Sequence, residues 1–216
     1  MKQDSRYQAV IELIDHILEH PNIPSDRLLV DYFRRRRFIG SHDRRSIQEI
    51  IYGILRSWPI LSFYERQLNG RKAVLWFLRV CKKITLEEIQ SLFSGKQYAP
   101  ACLSKGEVSN LDLVLPESTW PDWVKAATPE WLWPQFQNRF GCQALVEMQS
   151  LNQVVGFDVR VNTLKTNRDL VFEQLQKENI NVQKTPFSFW GLRFENRQAL
   201  QNHSLWKNGS LEIQDE

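Results

Sequence analysis

Positively charged side chains are concentrated in the first part of the chain. Residues 27–83 contain fourteen Lys and Arg but only four Asp and Glu, so this segment has a local net charge of +10. The whole chain has a net charge of +3, so the remainder carries −7. Such segregation of charge focuses a positive field on one part of a protein and attracts polyanions. A solvated basic surface without a partner is the alternative explanation.

Four consecutive arginines, Arg34 to Arg37, form the densest part of this segment. They cannot all be paired with so few local acids, so some must face solvent or a polyanion. Arginine suits a phosphate backbone because its planar guanidinium can donate to two phosphate oxygens at once. The other candidate contacts in the segment are Arg44, Arg45, Arg56, Arg71, Lys72, Lys82 and Lys83. Arg44 or Arg45 could instead pair with a nearby acid and hold helices together.

Cysteine and tryptophan offer weaker signals. The three cysteines, Cys81, Cys102 and Cys142, are odd in number and widely spaced, and there are only four histidines, so we expect neither a disulfide framework nor a metal site. We interpret each cysteine as a small buried apolar residue. Tryptophan rings can stack on unpaired bases. The cluster Trp120, Trp123, Trp131 and Trp133 lies among prolines, however, and we interpret it as packing at a domain junction.

The elements that position these residues are mostly helical up to about residue 93. Apolar spacing predicts a helix over residues 4–20, a second from a cap at Ser25 to Phe33, and a third with Ser41 as its N-cap. Further helices are predicted over residues 61–68, 72–81 and, capped by Thr85, up to 93. Residues 94–121 contain Gly and Pro with weak periodicity, which predicts a long irregular connection.

The last third of the chain changes its period. Helices are predicted over residues 129–140 and 142–151. Alternation from Phe157 to Val161 then predicts a strand, and Thr166 to Asp169 resembles a capping box in front of a helix of about ten residues. Shorter strands are predicted at 180–183, 192–194 and 210–213. The fold class is therefore a mainly α bundle over residues 1–125 followed by a small α+β subdomain over 126–216.

Three polar residues near this first strand are further candidates for RNA contact. Arg160 and Asn162 share one strand face and could point together at a phosphate or a base edge, with Lys165 close behind. Alternatively, Asn162 closes the turn into the next helix, and Arg160 forms a surface pair with Asp158 or Glu195.

Several motifs resemble those of one family. Pro129-Glu-Trp-Leu132, Arg160-Val-Asn-Thr-Leu-Lys165, Gly191-Leu192 and Gly209-Ser-Leu-Glu-Ile-Gln-Asp-Glu216 resemble the pre-catalytic segment of the Sun-type ribosomal RNA (cytosine-5)-methyltransferases. The segments 32–40, 43–45 and 52–56 are similar to the NusB-like helical domain of these enzymes. The resemblance implies a NusB-like bundle followed by an RRM-like subdomain.

The resemblance also implies an activity. In this family a cysteine thiolate adds to carbon six of cytosine, and carbon five then takes a methyl group from S-adenosylmethionine. The Thr-Cys-Ser context of that nucleophile and the Gly-rich turn of the cofactor site do not occur in this sequence. We therefore expect no catalytic and no cofactor-binding residues in the chain, which looks truncated before the domain that binds S-adenosylmethionine.

The expected partner is RNA, with small-subunit ribosomal RNA implied by the resemblance. No stretch reaches the ~18 apolar residues of a membrane span and no secretory signal precedes the first helix, so we expect a cytoplasmic protein without membrane contact. The oligomeric state is left open. Two alternatives remain: a stand-alone NusB-like RNA-binding or antitermination module, and a basic surface that docks a protein.

Overall fold

The computed structural model describes residues 1–153, 156–195 and 203–216. Contacts divide the chain into one unit from Met1 to Asn152 and another from Gln153 to Glu216. The predicted boundary between residues 125 and 126 falls inside the first of these units, and the domain limits stay a prediction.

The first unit is built from helices. A π-helical turn, Phe77–Cys81, continues the helix Gly70–Trp76, and short 3-10 turns lie at Glu117–Thr119 and Gly141–Gln143. The α-helices of the unit are α1 (Gln3–Glu19), α2 (Ser25–Arg35), α3 (Ser41–Arg56), α4 (Trp58–Tyr64), α5 (Gly70–Trp76), α6 (Leu86–Leu92), α7 (Lys105–Asp112), α8 (Asp122–Lys125), α9 (Trp133–Phe140) and α10 (Ala144–Leu151).

The core of this unit follows from apolar residues at helical spacing. On α1 these residues include the fully buried Leu13 and Ile14, and on α3 they include Ile47, Ile51 and Ile54. Burying each such side chain stabilises the fold by about 1.5–3 kcal/mol, which outweighs what helix propensity contributes to short helices.

Helix α3 approaches its neighbour at Gly53. A Cβ atom added there would lie 2.7 Å from a ring carbon of Phe77, which is closer than real Cβ contacts. Glycine therefore allows the aromatic ring to rest against the helix backbone.

Helix starts test the predicted caps. Thr85 is confirmed, because its side chain accepts from Glu88 N while the Glu88 carboxylate accepts from Thr85 N. The prediction for Ser41 is wrong by one residue: Gly40 has the extended conformation of an N-cap, and Ser41 is already helical. Asn167, rather than Thr166, caps the helix that follows the first strand.

Residues 94–121 are more ordered than predicted. They contain α7, which begins with a capping box between Ser104 and Glu107. The burial predicted for cysteine is wrong for Cys102 and Cys142, which are exposed because they lie outside the apolar faces of the helices. Trp120 and Trp133 are buried as predicted, but Trp131 is 73% exposed, so packing does not account for it.

The second unit is a β-α-β-β-α-β arrangement of the ferredoxin-like kind. It contains β1 (Phe157–Val161), α11 (Arg168–Lys177), β2 (Val182–Lys184), β3 (Gly191–Phe194), α12 (Ser204–Lys207) and β4 (Leu211–Ile213). The sheet order is β2-β3-β1-β4 and each neighbouring pair is antiparallel. Val159, on the central strand, lies opposite Leu192 and Ile213.

One face of this sheet carries the core. Val159, Leu192 and Phe194 are buried together with Val171 and Leu175 of α11. The predicted fold class, a mainly helical part followed by a small α+β subdomain, is confirmed. None of the helices in the described ranges is long and apolar enough to cross a membrane.

Candidate nucleic-acid interface

Five exposed arginines on two helices and the turn between them form what we call the α2–α3 arginine surface: Arg34, Arg35, Arg37, Arg45 and Arg56. Arg34 and Arg35 lie in the last turn of α2, where the partial negative charge of the helix end favours cations. Arg45 and Arg56 are eleven residues apart on α3, so they point within ~20° of each other and lie ~16 Å apart along the axis.

Most of this surface is uncompensated by acids. Within the part of the chain that the structure describes, Arg35, Arg37, Arg45 and Arg56 have no carboxylate within ion-pairing distance and no side-chain hydrogen bond. Arg34 lies 3.7 Å from Asp31, but both side chains are exposed, and such a pair contributes little. The guanidinium groups are therefore available to an external anion.

Two neighbouring arginines are engaged within the fold instead. Arg36 lies 3.8 Å from the centre of the Tyr32 ring and 3.3 Å from a Glu12 carboxylate oxygen. The hydroxyl of Tyr32 also donates to Glu12 at 2.9 Å, and burial raises the pKa of this tyrosine, so it stays a donor. Arg44 donates to the carbonyl of Ile39 at 2.8 Å. These contacts fix the connection from α2 to α3.

The acidic residue next to Arg44 in the sequence is paired with other groups. The buried carboxylate of Asp43 accepts from Arg6 at 2.8 Å and from the amino terminus at 2.7 Å. The alternative that Arg44 or Arg45 is paired with a nearby acid is therefore not what the structure shows.

An aromatic side chain that the sequence analysis missed lies within the same surface. Phe38 is 76% exposed and follows Arg37 directly. Aromatic faces that stack on bases commonly accompany a groove of cations in proteins that bind single strands. The sequence feature that could have indicated Phe38 is its place between the arginine run and Gly40.

Arg71 was predicted as an RNA contact, but the structure places it in a built intramolecular site. Its guanidinium donates to both oxygens of Glu107, at 2.7 and 3.1 Å, and to the carbonyls of Ala101 and Cys102. Hydrogen bonding from Arg71 lowers the pKa of Glu107 to about 2. Arg71 therefore fastens the segment before α7 to α5.

The three predicted lysines of this segment differ in how they are held. Lys72 is 3.4 Å from Glu65 and also contacts the carbonyl of Gln67. Lys83 pairs with Glu117 at 3.0 Å, and both are exposed. Lys82 is exposed with its ammonium 5.4 Å from the centre of the Phe77 ring.

The second unit brings together its three predicted residues. Arg160, Asn162 and Lys165 line one open pocket of about 470 Å³. The side chain of Asn162 donates to Gly209 O at 3.1 Å and accepts from Leu164 N, so it closes the turn after β1. The ammonium of Lys165 donates to the carbonyl of Asn208.

Arg160 is also paired within this unit. Its guanidinium lies 2.6 Å from a carboxylate oxygen of Glu212, which is its cross-strand neighbour on β4. The pair is therefore with Glu212, and not with Asp158 or Glu195 as the alternative had it. The element from Arg160 to Lys165 therefore connects the end of β1 to β4 and to the turn that precedes β4. Its role toward RNA stays a prediction.

The connection between β2 and β3 exposes three aromatic residues that the sequence analysis also missed. Phe187 is 86% exposed, Phe189 82% and Trp190 53%. The carboxylate of Glu216 accepts from the backbone N–H groups of Phe187 and Ser188, each at 2.6 Å, so this loop has a defined shape.

One family profile matches a segment that spans the end of the first unit and part of the second. Residues 128–201 match the profile of the "Methyltr_RsmF/B-like, ferredoxin-like domain". This match covers the α9–α10 region and most of the α+β unit, and it confirms the resemblance to the pre-catalytic region of a Sun-type methyltransferase. No curated protein matched the chain.

A solved structure has a similar fold. The chain titled "Crystal Structure of PH0851" aligns with all of this chain at a TM-score of 0.61 and 17% sequence identity. The present chain spans 54% of the length of that chain. At this identity the similarity concerns the fold alone.

Proposed function

We propose that this chain is the RNA-binding, pre-catalytic part of an S-adenosylmethionine-dependent ribosomal RNA (cytosine-5)-methyltransferase. The match of residues 128–201 to an RsmF/B-like methyltransferase domain supports the family. The observation that carries the RNA-binding role is the α2–α3 arginine surface, in which Arg35, Arg37, Arg45 and Arg56 are exposed and lack an acidic partner among the described residues. Small-subunit ribosomal RNA is the proposed substrate.

The physical basis of the proposal is the release of counterions. Each Lys or Arg that neutralises a phosphate displaces a condensed cation, so log K falls with log salt by roughly 0.7 per contact on a single strand. An arginine that is already bound to a carboxylate neutralises no external charge without first breaking its own pair. The free arginines of α2 and α3 therefore contribute to binding, whereas Arg71 contributes to the fold.

A single strand fits this surface better than a rigid duplex. Phe38 offers an exposed ring beside the cations, and stacking on a base is worth about 1–3 kcal/mol. A duplex hides its base faces, so it can use the arginines but not the ring. We expect the chain to prefer unpaired RNA.

The methyl transfer itself needs residues that this sequence lacks. Cys81, Cys102 and Cys142 stand in Val-Cys-Lys, Ala-Cys-Leu and Gly-Cys-Gln contexts, and burial raises the pKa of the Cys81 thiol, which opposes thiolate formation. We propose that the nucleophile and the cofactor site belong to another domain, and that this chain alone is inert toward cytosine.

The test compares the variant R35A/R37A/R45A/R56A with the wild type by fluorescence anisotropy on a single-stranded fragment of small-subunit ribosomal RNA. If all four arginines contact phosphates, the slope of log K against log salt becomes shallower by about 3. The matched control is K96A/K105A/R139A/K177A, which removes the same charge from other exposed cations. Equal slopes for the two variants would show that only net charge matters and would overturn the proposal.

The alternatives have their own outcomes. For a stand-alone RNA-binding or antitermination module, a protein expressed from the full gene would bind RNA but transfer no labelled methyl group from S-adenosylmethionine. For a protein-docking surface, the wild-type chain would bind the RNA fragment no more tightly than the quadruple variant does. Methyl transfer by the full gene product, weakened by the quadruple change, supports the proposal.

A further inference from the structure

The carboxyl end of α1 brings two histidines and a glutamate together. His16 and Glu19 lie in the last turn of α1 and His20 is its C-cap, so the three stand at positions i, i+3 and i+4. One potential ligand atom from each residue lies within 4.8 Å of the other two. We propose that this face binds a divalent transition-metal ion, with the two imidazoles and the carboxylate as ligands.

The distances are compatible with an ion after small side-chain movements. The Nδ1 atom of His16 lies 4.0 Å from a carboxylate oxygen of Glu19, and the ring centres of His16 and His20 are 4.4 Å apart. Ligands at ~2.0–2.2 Å from a tetrahedral zinc ion are about 3.4 Å from one another. The side chains of His16 and Glu19 are 40% and 70% exposed, so they are free to rotate inward by this amount.

A hydrogen bond prepares His20 as a ligand. Its Nδ1 atom is 2.9 Å from the backbone carbonyl oxygen of His16. Because a carbonyl only accepts, Nδ1 carries the hydrogen in this pair, and Nε2 keeps its lone pair. Histidines that bind metals are commonly oriented in this way, with the second ring nitrogen donating to a carbonyl or carboxylate.

The electrostatic surroundings favour a cation. The site lies at the carboxyl end of a 17-residue helix, where unpaired carbonyl groups give a partial negative charge. Glu19 adds a full negative charge, and the last turn of α1 contains no Lys or Arg. Partial exposure of all three side chains gives the ion access from solvent and leaves a fourth position for water.

The ligand set points to a class of metal. Imidazole suits Zn²⁺, Cu²⁺ and Ni²⁺, whereas Mg²⁺ and Ca²⁺ prefer oxygen ligands. The sequence predicted no metal site because its cysteines form no close pair and its histidines are few. Two histidines four residues apart at a helix end can bind a metal without a cysteine.

An ion at this site would stabilise the carboxyl end of α1. Its ligands span one helical turn just before the chain reverses through Pro21 and Pro24 into α2. Because an ion that binds only the folded turn stabilises it by mass action, we expect less fraying at this helix end when metal is present.

The test is calorimetric titration of the metal-stripped chain with ZnCl₂ in the absence of RNA. We expect one Zn²⁺ per chain, and a loss of affinity of about tenfold or more for each of H16A and H20A. The control H42A removes an exposed histidine from another helix and should bind as the wild type does. Wild-type affinity in the H16A/H20A double variant would overturn the proposal.

A second measurement needs no variant. In a two-dimensional NMR spectrum of the wild-type chain, Zn²⁺ should shift the imidazole signals of His16 and His20 and leave those of His42 and His203 in place. Shifts confined to the other two histidines, or none at all, would also contradict the site. Neither measurement depends on RNA binding, so it can fail while the proposed function stands.

Discussion

Arg35 and Arg71 are the same side chain in the same basic stretch, yet the structure uses them in opposite ways. Arg35 is exposed at the end of α2 and has no acidic partner in the described ranges. Arg71 makes four hydrogen bonds, two to Glu107 and two to backbone carbonyls. The difference lies in the surroundings, because residues 101–107 bring acceptors to Arg71, whereas no residue in the described ranges brings an acceptor within bonding distance of the Arg35 guanidinium.

This contrast separates binding from structure among basic residues. A guanidinium with fixed internal partners has lost its side-chain freedom and its need for a counterion, so it stabilises the fold. A free guanidinium can neutralise a phosphate and release the cation that was condensed on it. Local charge density predicts that some arginines are free, but only the contacts show which ones.

The largest expected effect is on RNA affinity, after substitution of arginines that have no internal partner. Charge reversal in R35E/R45E should weaken RNA binding by roughly 100-fold, because two phosphate contacts become repulsive. Unfolding by urea should change by less than about 0.5 kcal/mol, since both residues are exposed and away from the core. An affinity within threefold of the wild type would break the comparison.

The next largest effect is on stability, after substitution of Arg71, which is bonded within the fold. R71A should lower the free energy of unfolding by about 2 kcal/mol, because it leaves the partly buried carboxylate of Glu107 without its bidentate partner. RNA affinity, measured by anisotropy on the folded variant, should stay within about twofold. A large loss of affinity with unchanged stability would assign Arg71 to RNA instead.

The same pair predicts a pH dependence. Arg71 lowers the pKa of Glu107 to about 2, below the ordinary value of 4.5. The stabilisation is therefore complete above pH ~4.5 and is lost as the pH falls toward 2. Urea unfolding at pH 6 and pH 3 should show a smaller penalty for R71A at the lower pH, and E107Q should lack this dependence. A penalty that does not change with pH would contradict the assignment.

The smallest effect concerns an acidic residue beside the α2–α3 arginine surface. Glu49 is exposed on α3, on the face that carries Arg45 and Arg56, and forms no ion pair with any residue that the structure describes. E49Q should raise RNA affinity about twofold by removing a repulsive charge near the strand. The effect should fade at high salt, and E87Q, an exposed acid on α6, should show no gain.

Long periodic segments were predictable, whereas most helix caps and distant contacts were not. The first strand and the helices over α1 and α3 follow from apolar spacing. Helix α7 was missed because Gly106 weakened its pattern, although Ser104 and Glu107 stand at the spacing of a capping box. The start of α3 was misplaced by one residue because Gly40 can take the extended cap conformation without a side-chain bond.

The candidate site divides in the same way. Counting charges correctly required that some of Arg34 to Arg37 be free, since four local acids cannot neutralise fourteen cations. It could not show that Arg36 pairs with Glu12, because that ion pair depends on how α1 and α2 pack. It also overlooked Phe38, since an apolar residue is ordinarily assigned to the core.

The close approach of Gly53 to Phe77 helps to set where α3 lies among its neighbours. A Cβ atom at position 53 would lie 2.7 Å from a ring carbon of Phe77, so a bulkier residue there would push the helix away from the ring. The spacing between Arg45 and Arg56 is set by α3 itself and would not change. Both arginines would instead move together relative to those at the end of α2, so a strand that contacts both groups would meet them at altered distances.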